Sequence, residues 1–377
     1  MGKSTAIGGI PQRAREAQVA AMWDAVIAGA GPAGSAAAHV LARKGLRTLF
    51  VDVKQGKRKV GESLPGAASR LLRSMGLPLP ESDGEHRRIG GNLSSWNSKE
   101  LLATDFFHDP DGPGWRLDRP RFDTALRESA ITCGATLKMA RVTEVTRQNN
   151  LWHLHLDDGE VTTARWLIDA TGRSSALARR LGQPRERDTP LVALYALGKP
   201  NHDLRLNRTV IEAAPNGWWC ASLLPSGQPL AGFHLRPGDA AYMTAHPAEW
   251  RKALAKTRHV AALFSPEMFD SPMRALDASG SRLARFAGDG WIACGDAALS
   301  FDPLSSQGIF SALHSGIEAA LAVAAALNGD SAPLDSYSEG LEEIRRIYLL
   351  RCRTMYRSET RWPAELFWST FSNHSVP

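Results

Sequence analysis

The sequence predicts an α/β fold, and the observations that predict it are apolar runs ending in glycine. Asp24-Ala25-Val26-Ile27-Ala28 leads into Gly29-Ala30-Gly31-Pro32-Ala33-Gly34, Leu167-Ile168-Asp169-Ala170-Thr171 into Gly172-Arg173, and Trp291-Ile292-Ala293-Cys294 into Gly295-Asp296. Each run has the length and apolar content of a buried parallel strand, and the first reads strand, tight turn, helix. A length of 377 residues is too great for one small core, so two packed domains are expected, one of them discontinuous.

The first run has the spacing of a dinucleotide-binding turn. Gly29 permits the turn, Gly31 lets the backbone approach a pyrophosphate, and Gly34 lets the helix pack on the strand. Pro32 and Ala33 open that helix, whose positive end faces the phosphates. The next apolar run, Thr48-Leu49-Phe50-Val51, ends at Asp52, roughly 20 residues on, where a carboxylate binds a ribose 2′-OH and repels a 2′-phosphate. A dinucleotide with a flavin at one end needs all three runs, so together they read as an FAD site. Asp296 then meets a ribityl hydroxyl. The segment Asp302-Pro303-Leu304-Ser305-Ser306-Gln307-Gly308-Ile309 opens a helix whose N–H groups, at Gln307, Gly308 and Ile309, face the pyrimidine side of a reduced flavin. Pro303 lacks an N–H and suits a loop start beside the ring. The turn Gly61-Glu62-Ser63 is expected along the flavin. Arg119 either pairs with the pyrophosphate or ribityl chain or is a surface arginine at a helix start.

Residues 1–22 read as a polar N-terminal extension; 23–75, 111–185 and 284–330 build a Rossmann-like FAD-binding domain. Residues 76–110 are an excursion toward an inserted antiparallel substrate domain, 186–283, which reads as strand-like and Trp-rich; 331–377 form a C-terminal helix and tail. The helix opened by Asp118 is expected to bury Phe122, Leu126 and Ile131, and the alternation of Trp152 to Leu156 marks a strand with one wet face, paired with the run before Leu167. In the tail, Ile344, Ile347, Tyr348, Cys352, Met355 and Tyr356 share a helical face. Arg353 and Arg357 lie on the others, either solvated or available to dock a partner.

A net charge of +6 and a pI near 9.3 are mildly basic, with the excess in Lys54 to Lys59 and Arg345 to Arg361. No nucleic-acid motif accompanies it, so no nucleic-acid partner is expected. Cys133, Cys220, Cys294 and Cys352 are single and far apart, which argues against a metal site and for reduced thiols in a cytoplasmic enzyme. The first residues lack a signal-peptide core, and no run is expected to approach membrane-spanning length.

The segments Gly29 to Gly34, Asp169 to Arg173, Gly295-Asp296 and Pro303 to Gly308 resemble the single-Rossmann flavin monooxygenase superfamily of aromatic hydroxylases, over nearly the whole chain. Gly61-Glu62-Ser63-Leu64-Pro65 and Gly217-Trp218-Trp219 with Pro225 are similar to the branch that holds tryptophan halogenases and geranylgeranyl reductases. Gly114 to Arg119, Glu212 to Trp219 and Tyr356 to Trp368 resemble flavoprotein maturases that help build tryptophylquinone cofactors in amine oxidases and dehydrogenases. The resemblance implies an FAD-dependent monooxygenase that uses O₂, through a C4a-hydroperoxyflavin, to hydroxylate an indole-like ring, with a tryptophan in a protein or peptide substrate as the sharpest version. Only one Gly-x-Gly-x-x-Gly is present, so electrons come from NAD(P)H visiting transiently or from external reduced flavin supplied by a separate reductase. Glu212 is the candidate catalytic carboxylate or else a strand ion-pair residue, and Trp218 and Trp219 either wall the active site or pack as core. Family halogenases carry a lysine downstream of the Gly-Glu and a Trp-x-Trp-x-Ile-Pro segment; here Gly90 to Trp96 has no lysine until Lys99, and the Trp pair is adjacent. A small-molecule aromatic hydroxylase, a halogenase, an isoprenoid reductase and a flavin-binding chaperone are the alternatives.

Overall fold

The computed structural model describes residues 22–53, 61–82, 84–106 and 110–372. The N-terminal extension through residue 21 and the basic run Lys54 to Lys59 lie outside the described residues.

The fold is mixed α/β, as the glycine-ended runs indicate. The nucleotide layer is an eight-stranded sheet whose parallel centre runs, in space, Trp291–Ala293, Val161–Asp169, Met22–Ala28, Thr48–Asp52 and Thr136–Met139. Register aligns Ala28 with both Asp169 and Val51, and Asp169 with Ala293, so the carboxyl ends of these strands share one edge. The central segments are apolar because both faces are covered: Val26, Ile27, Phe50 and Ile168 are buried beneath helices Pro32–Arg43, Arg119–Thr132 and Gly308–Leu327, while the edge strand Thr136–Met139 is part-exposed. Leu151–Leu156 joins the same sheet antiparallel to Val161–Asp169, with Trp152, Leu154 and Leu156 buried, which is the alternation the sequence displays.

The second layer is a seven-stranded sheet in the order Arg274–Asp277, Val192–Leu197, Pro229–Leu235, Gly217–Leu223, Arg208–Ala214, Gly91–Ser95, Leu102–Asp105. Strand alternation gives it two different faces. Val210, Trp219, Ala221 and Phe233 form an outer core with Trp250, Phe264 and Phe269. Ala213 and Trp218 form an inner core with Trp96, Leu191, Tyr356, Phe367 and Trp368, and Ile211, Cys220 and Leu304 pack against it.

Four expectations need correction. The stretch from Val192 to Leu283 is not strand throughout, because Pro237–Ala245 and Pro247–Ala255 are helices; each has proline in its first turn and an acid, Asp239 or Glu249, near its positive end. In Arg119–Thr132 the buried stripe is Phe122, Leu126 and Ala130, while Ile131 is exposed, because the face recurs at i+4 and i+8. In Ala332–Ser358 the buried seam is Tyr337, Leu341, Tyr348 and Tyr356, and Met355 points outward. Gly308–Leu327 is 20 residues long and apolar enough to cross a membrane by length and composition; here it packs between the first helix and the Ala332–Ser358 helix, with Leu313, Ile317, Ala320 and Val323 buried.

The tail is fastened to the second sheet. Trp368 Nε1 donates to Ala214 O at 3.0 Å and Trp96 Nε1 to Met355 O at 2.8 Å. The Glu359 carboxylate is wholly buried. It accepts from Arg361 Nε at 2.9 Å, Arg361 Nη2 at 2.6 Å and the Asn97 N–H at 2.7 Å. Burial alone would raise its pKa, but these hydrogen bonds outweigh it and hold the carboxyl below its ordinary value. Arg361→Ala strands that charge, and breaking a buried pair from one side costs about 3 to 5 kcal/mol. A depressed carboxylate stabilises the fold above its unfolded pKa and loses that effect as pH falls through the folded one. Thermal unfolding should therefore show a clear drop in Tm for Arg361→Ala at neutral pH, shrinking as the solution is acidified below the carboxylate range.

Candidate active site

The glycine-ended turns converge on one point. Gly29 sits at φ +103°, and a Cβ there would lie 2.2 Å from Ala170 O, so the first turn and the second strand end touch through backbone. A Cβ on Gly34 would lie 1.8 Å from Gly29 O. Gly295, at φ +60°, and Gly316 on the long helix would drive a Cβ to 2.8 Å from Ala33 Cβ and 2.3 Å from Ala33 O. Backbone bonds lock the junction: Gly29 N–H donates to Val51 O at 2.7 Å, Ala170 N–H to Ala28 O at 2.8 Å, and Cys294 N–H to Asp169 O at 2.9 Å.

Two helix N-termini open at this junction. Pro32–Arg43 has no side-chain cap at Gly31 and no acid in its first turn, and its first ladder bond is Ser35 N–H to Gly31 O, leaving the Ala33 and Gly34 N–H groups outside the ladder. Gly308–Leu327 likewise lacks a cap at Gln307 and an acid in its first turn, and its ladder begins at Ser311 N–H to Gln307 O. Two uncompensated positive ends beside a glycine cradle fit an anionic dinucleotide. Asp52 closes the second strand, where its Oδ1 accepts from the Val53 N–H at 2.9 Å. Gly172, at φ +68°, opens a single 3₁₀ turn with free space at its Cα.

Other named residues are held by the protein itself. Arg119 is buried and forked onto Asp123, Nε at 3.0 Å and Nη2 at 3.1 Å, while Nη1 donates to Gly61 O at 2.7 Å. It is not a surface residue; it holds the Gly61-Glu62 turn in place. Glu62 is buried, and the Ser63 hydroxyl accepts from Arg116 Nη1 at 2.7 Å. Asp296 faces Arg173 at 3.6 Å, with its carboxyl about a third exposed. Burial pushes its pKa up against the pull of Arg173, Arg185 and Arg119. Arg185, which no sequence motif marks, donates to Asp296 O at 2.8 Å, Ala297 O at 2.8 Å and Ser300 Oγ at 3.1 Å, fixing the Gly-Asp turn; burial lowers its pKa to about 10.

Glu212 is not a free carboxylate. Its Oε1 accepts from the Arg258 N–H at 2.6 Å, and Oε2 from the His259 and Val260 N–H groups at 2.9 Å each. It caps the short helix Val260–Leu263 on the outer face, opposite in register to Trp219. The Trp pair is divided the same way. Trp219 stacks on Phe233 at 4.3 Å in the outer core, whereas Trp218 faces inward, stacked on His234 at 3.6 Å with rings 4° from parallel. Burial lowers the pKa of His234 to about 3, so it is a neutral ring. Of the two tryptophans, only Trp218 looks toward the Pro303 loop.

There it ends a buried polar chain. Trp218 Nε1 donates to Tyr356 Oη at 3.0 Å, and the Tyr356 hydroxyl donates to Asp302 Oδ2 at 2.7 Å. Asp302 Oδ1 accepts from the Leu304 N–H at 2.8 Å, and the Asp302 N–H donates to Tyr348 Oη at 2.9 Å. Pro303, Leu304 and Ser305 form one 3₁₀ turn set by this carboxyl. Burial raises the Asp302 pKa to about 6 despite those donors. The sequence does not mark Asp302 or Tyr356 as chemical; the only local signal is an acid directly before Pro303.

A family model described as an FAD binding domain matches residues 22–347. The chain belongs to this family. LodB of Marinomonas mediterranea, which carries the name of an FAD-dependent oxidoreductase, is 27% identical over 356 residues, 92% of this chain and 96% of LodB. A 1H-pyrrole-2-carbonyl-(peptidyl-carrier protein) brominase of Pseudoalteromonas luteoviolacea is 28% identical, over 82% of this chain and 79% of the brominase. Among solved structures, QhpG, a peptidyl tryptophan dihydroxylase essential for tryptophylquinone cofactor biogenesis, is 26% identical with a TM-score of 0.75, over 93% of this chain and 79% of its own. The flavin-dependent halogenase CmlS shares the fold, with a TM-score of 0.85 at 22% identity over 94% of this chain and 68% of CmlS. As a member of the FAD binding domain family, the chain is a flavin-dependent oxidoreductase.

Gly31→Val places a branched side chain where that cradle must admit the pyrophosphate. The wild-type protein should purify with an oxidised-flavin absorbance, and the variant should lose it while keeping its far-UV spectrum. For Asp302, the folded pKa near 6 lies above the ordinary 3.8, so the carboxyl favours the fold at low pH and that effect is lost as pH rises through the folded value. Each tenfold change in proton affinity is worth roughly 1.4 kcal/mol, so wild type should lose on the order of 3 kcal/mol of stability between about pH 4 and pH 6 relative to Asp302→Asn. Denaturant melts of both proteins across that window check it.

Proposed function

We propose that this flavoprotein is a monooxygenase that hydroxylates an aromatic, indole-like ring, and that its substrate is a tryptophan carried by a partner polypeptide. The observation that carries the reading is the inward Trp218–Tyr356–Asp302 chain beside the Pro303 loop: it sets an aromatic wall and a protonatable carboxyl where the open end of Gly308–Leu327 begins. Bound and reduced FAD would supply the activation of O₂. Leu304, Ile211 and Cys220 keep that side apolar and dry. Asp302 Oδ2 and the Tyr356 hydroxyl hold a proton between them, with the carboxyl poised to exchange it near neutral pH. The likeness to QhpG supports a peptide-borne tryptophan as the ring.

Halogenation is the rival favoured by relatives such as the pyrrole brominase. Against it, the positions of Gly91–Ser95 that face inward are Asn92 and Ser94, paired with Thr209 and Ile211, and neither offers an ammonium. Lys99 lies past that strand on the outer face, near Glu212 and Arg258, and its carbonyl accepts from His259 Nε2 at 2.8 Å.

The FAD-loaded protein, a reductant, O₂ and an unmodified tryptophan-bearing partner should yield a product with added oxygen by mass spectrometry, with bromide and chloride present. Incorporated halogen would overturn the reading, as would an unaltered partner together with an oxygenated free aromatic substrate. Asp302→Asn should retain FAD and lower kcat by about 10²-fold, the scale of one general acid–base group.

A further inference from the structure

Four guanidinium groups meet at a cavity that none of the chemistry above uses. It encloses about 400 Å³ where the strand Arg208–Ala214 begins, and Arg87, Arg88, Arg116 and Arg205 line it with Leu206 and Leu223 among its apolar walls. Among the described residues, no aspartate or glutamate is in the lining. Its innermost arginine, Arg116, is 4% exposed. It donates from Nη1 to Ser63 Oγ and from Nη2 to Thr209 Oγ1, both at 2.7 Å, and its Nε has no acceptor among the described residues. Both partners are neutral hydroxyls. Burial depresses its pKa, and the nearby Glu62 makes up only part of the difference.

The outer three are equally uncommitted to carboxylates. Arg88 lies over the Trp115 ring at 5.0 Å, Arg205 gives its Nη1 to the carbonyls of His202 and Leu204, and Arg87 forms no ion pair among the described residues. Elsewhere on this surface arginines find acids, as Arg121 finds Glu85 and Arg70 finds Asp111. Four like charges held around one ligand-sized space repel one another unless an anion joins them. Arginine forks suit phosphate oxygens, and a dianion suits this excess of charge better than a single carboxylate does.

We propose that this cavity binds the phosphate monoester of a second small molecule, at a site separate from the FAD pyrophosphate, with the organic part of that ligand against Leu206 and Leu223. The site adjoins the flavin turn, since Arg116 holds Ser63, the residue after Glu62. The inference does not depend on which ring the enzyme oxidises.

Calorimetry on the FAD-loaded protein, with inorganic phosphate, NADP⁺ and NAD⁺ as probes, tests it. Phosphate should bind in the sub-millimolar range, and the exposed double variant Arg87→Gln/Arg205→Gln should weaken it by about 10-fold or more while flavin absorbance is unchanged. NADP⁺ binding well above NAD⁺ supports the site with a phosphorylated dinucleotide as its source; equal dinucleotides with phosphate retained support it with a smaller phosphate ester. Absence of phosphate binding, or phosphate binding that survives the double variant, overturns the proposal. Arg116→Gln serves as a third variant, read alongside its Tm, because it removes a buried link between the two layers.

Discussion

Everything in the nucleotide layer depends on how closely backbones approach at Ala33. Glycines at 29, 34, 295 and 316 remove the atoms that would hold the first turn, the second and third strand ends and the long helix apart. That contact is steric, not electrostatic, and it tolerates little: overlaps of the size a methyl group would create here cannot be absorbed by rotating a side chain, because the opposing atoms are mostly backbone. Once the junction is closed, two helix ends are aimed into the same groove with their N–H groups unspent. The anion-binding character of the site is thus a by-product of packing.

The second layer works by alternation. A strand exposes successive residues to opposite faces, so the adjacent Trp218 and Trp219 cannot serve one pocket. The outer face is an ordinary helix-covered core in which Glu212 secures a short helix start. On the inner face lie the buried polar groups, Arg116 with Thr209 and Trp218 with Tyr356, and these are the contacts that join the sheet to the Gly61-Glu62-Ser63 turn and to the Pro303 loop. Such groups are costly when unsatisfied, so their pairing fixes how the two layers meet.

Much of the nucleotide layer was legible because its signals are local. Gly29 to Gly34, the apolar run to Asp52 and the Gly295-Asp296 turn each declare their geometry within a few residues. The Trp152 to Leu156 alternation and the Gly308 helix start were readable for the same reason. The inner face was not. Asp302, Tyr356 and Trp218 come together across separations of 54 and 138 residues, and no spacing rule links an acid before a proline to a tyrosine in a distant helix. Glu212 misled because a carboxylate beside two tryptophans looks chemical, whereas its partners are the N–H groups of Arg258, His259 and Val260, 46 to 48 residues on. The helices Pro237–Ala245 and Pro247–Ala255 were in reach, since Arg236-Pro237 and His246-Pro247 are helix-start signals that the surrounding strands overshadowed.

The tail contacts also fix an order of events in time. Trp368 bonds Ala214 across 154 positions of chain, and Trp96 bonds Met355 across 259. During synthesis the seven-stranded sheet emerges well before the aromatic residues that cover its inner face. Until the helix Leu366–Ser372 clears the ribosome, Trp96 and Trp218 lack part of the cluster that buries them, and the nascent chain carries an aromatic face open to water. Folding of this layer is consequently completed only once that segment has been made, and a chaperone that shields exposed aromatics has its natural window before then.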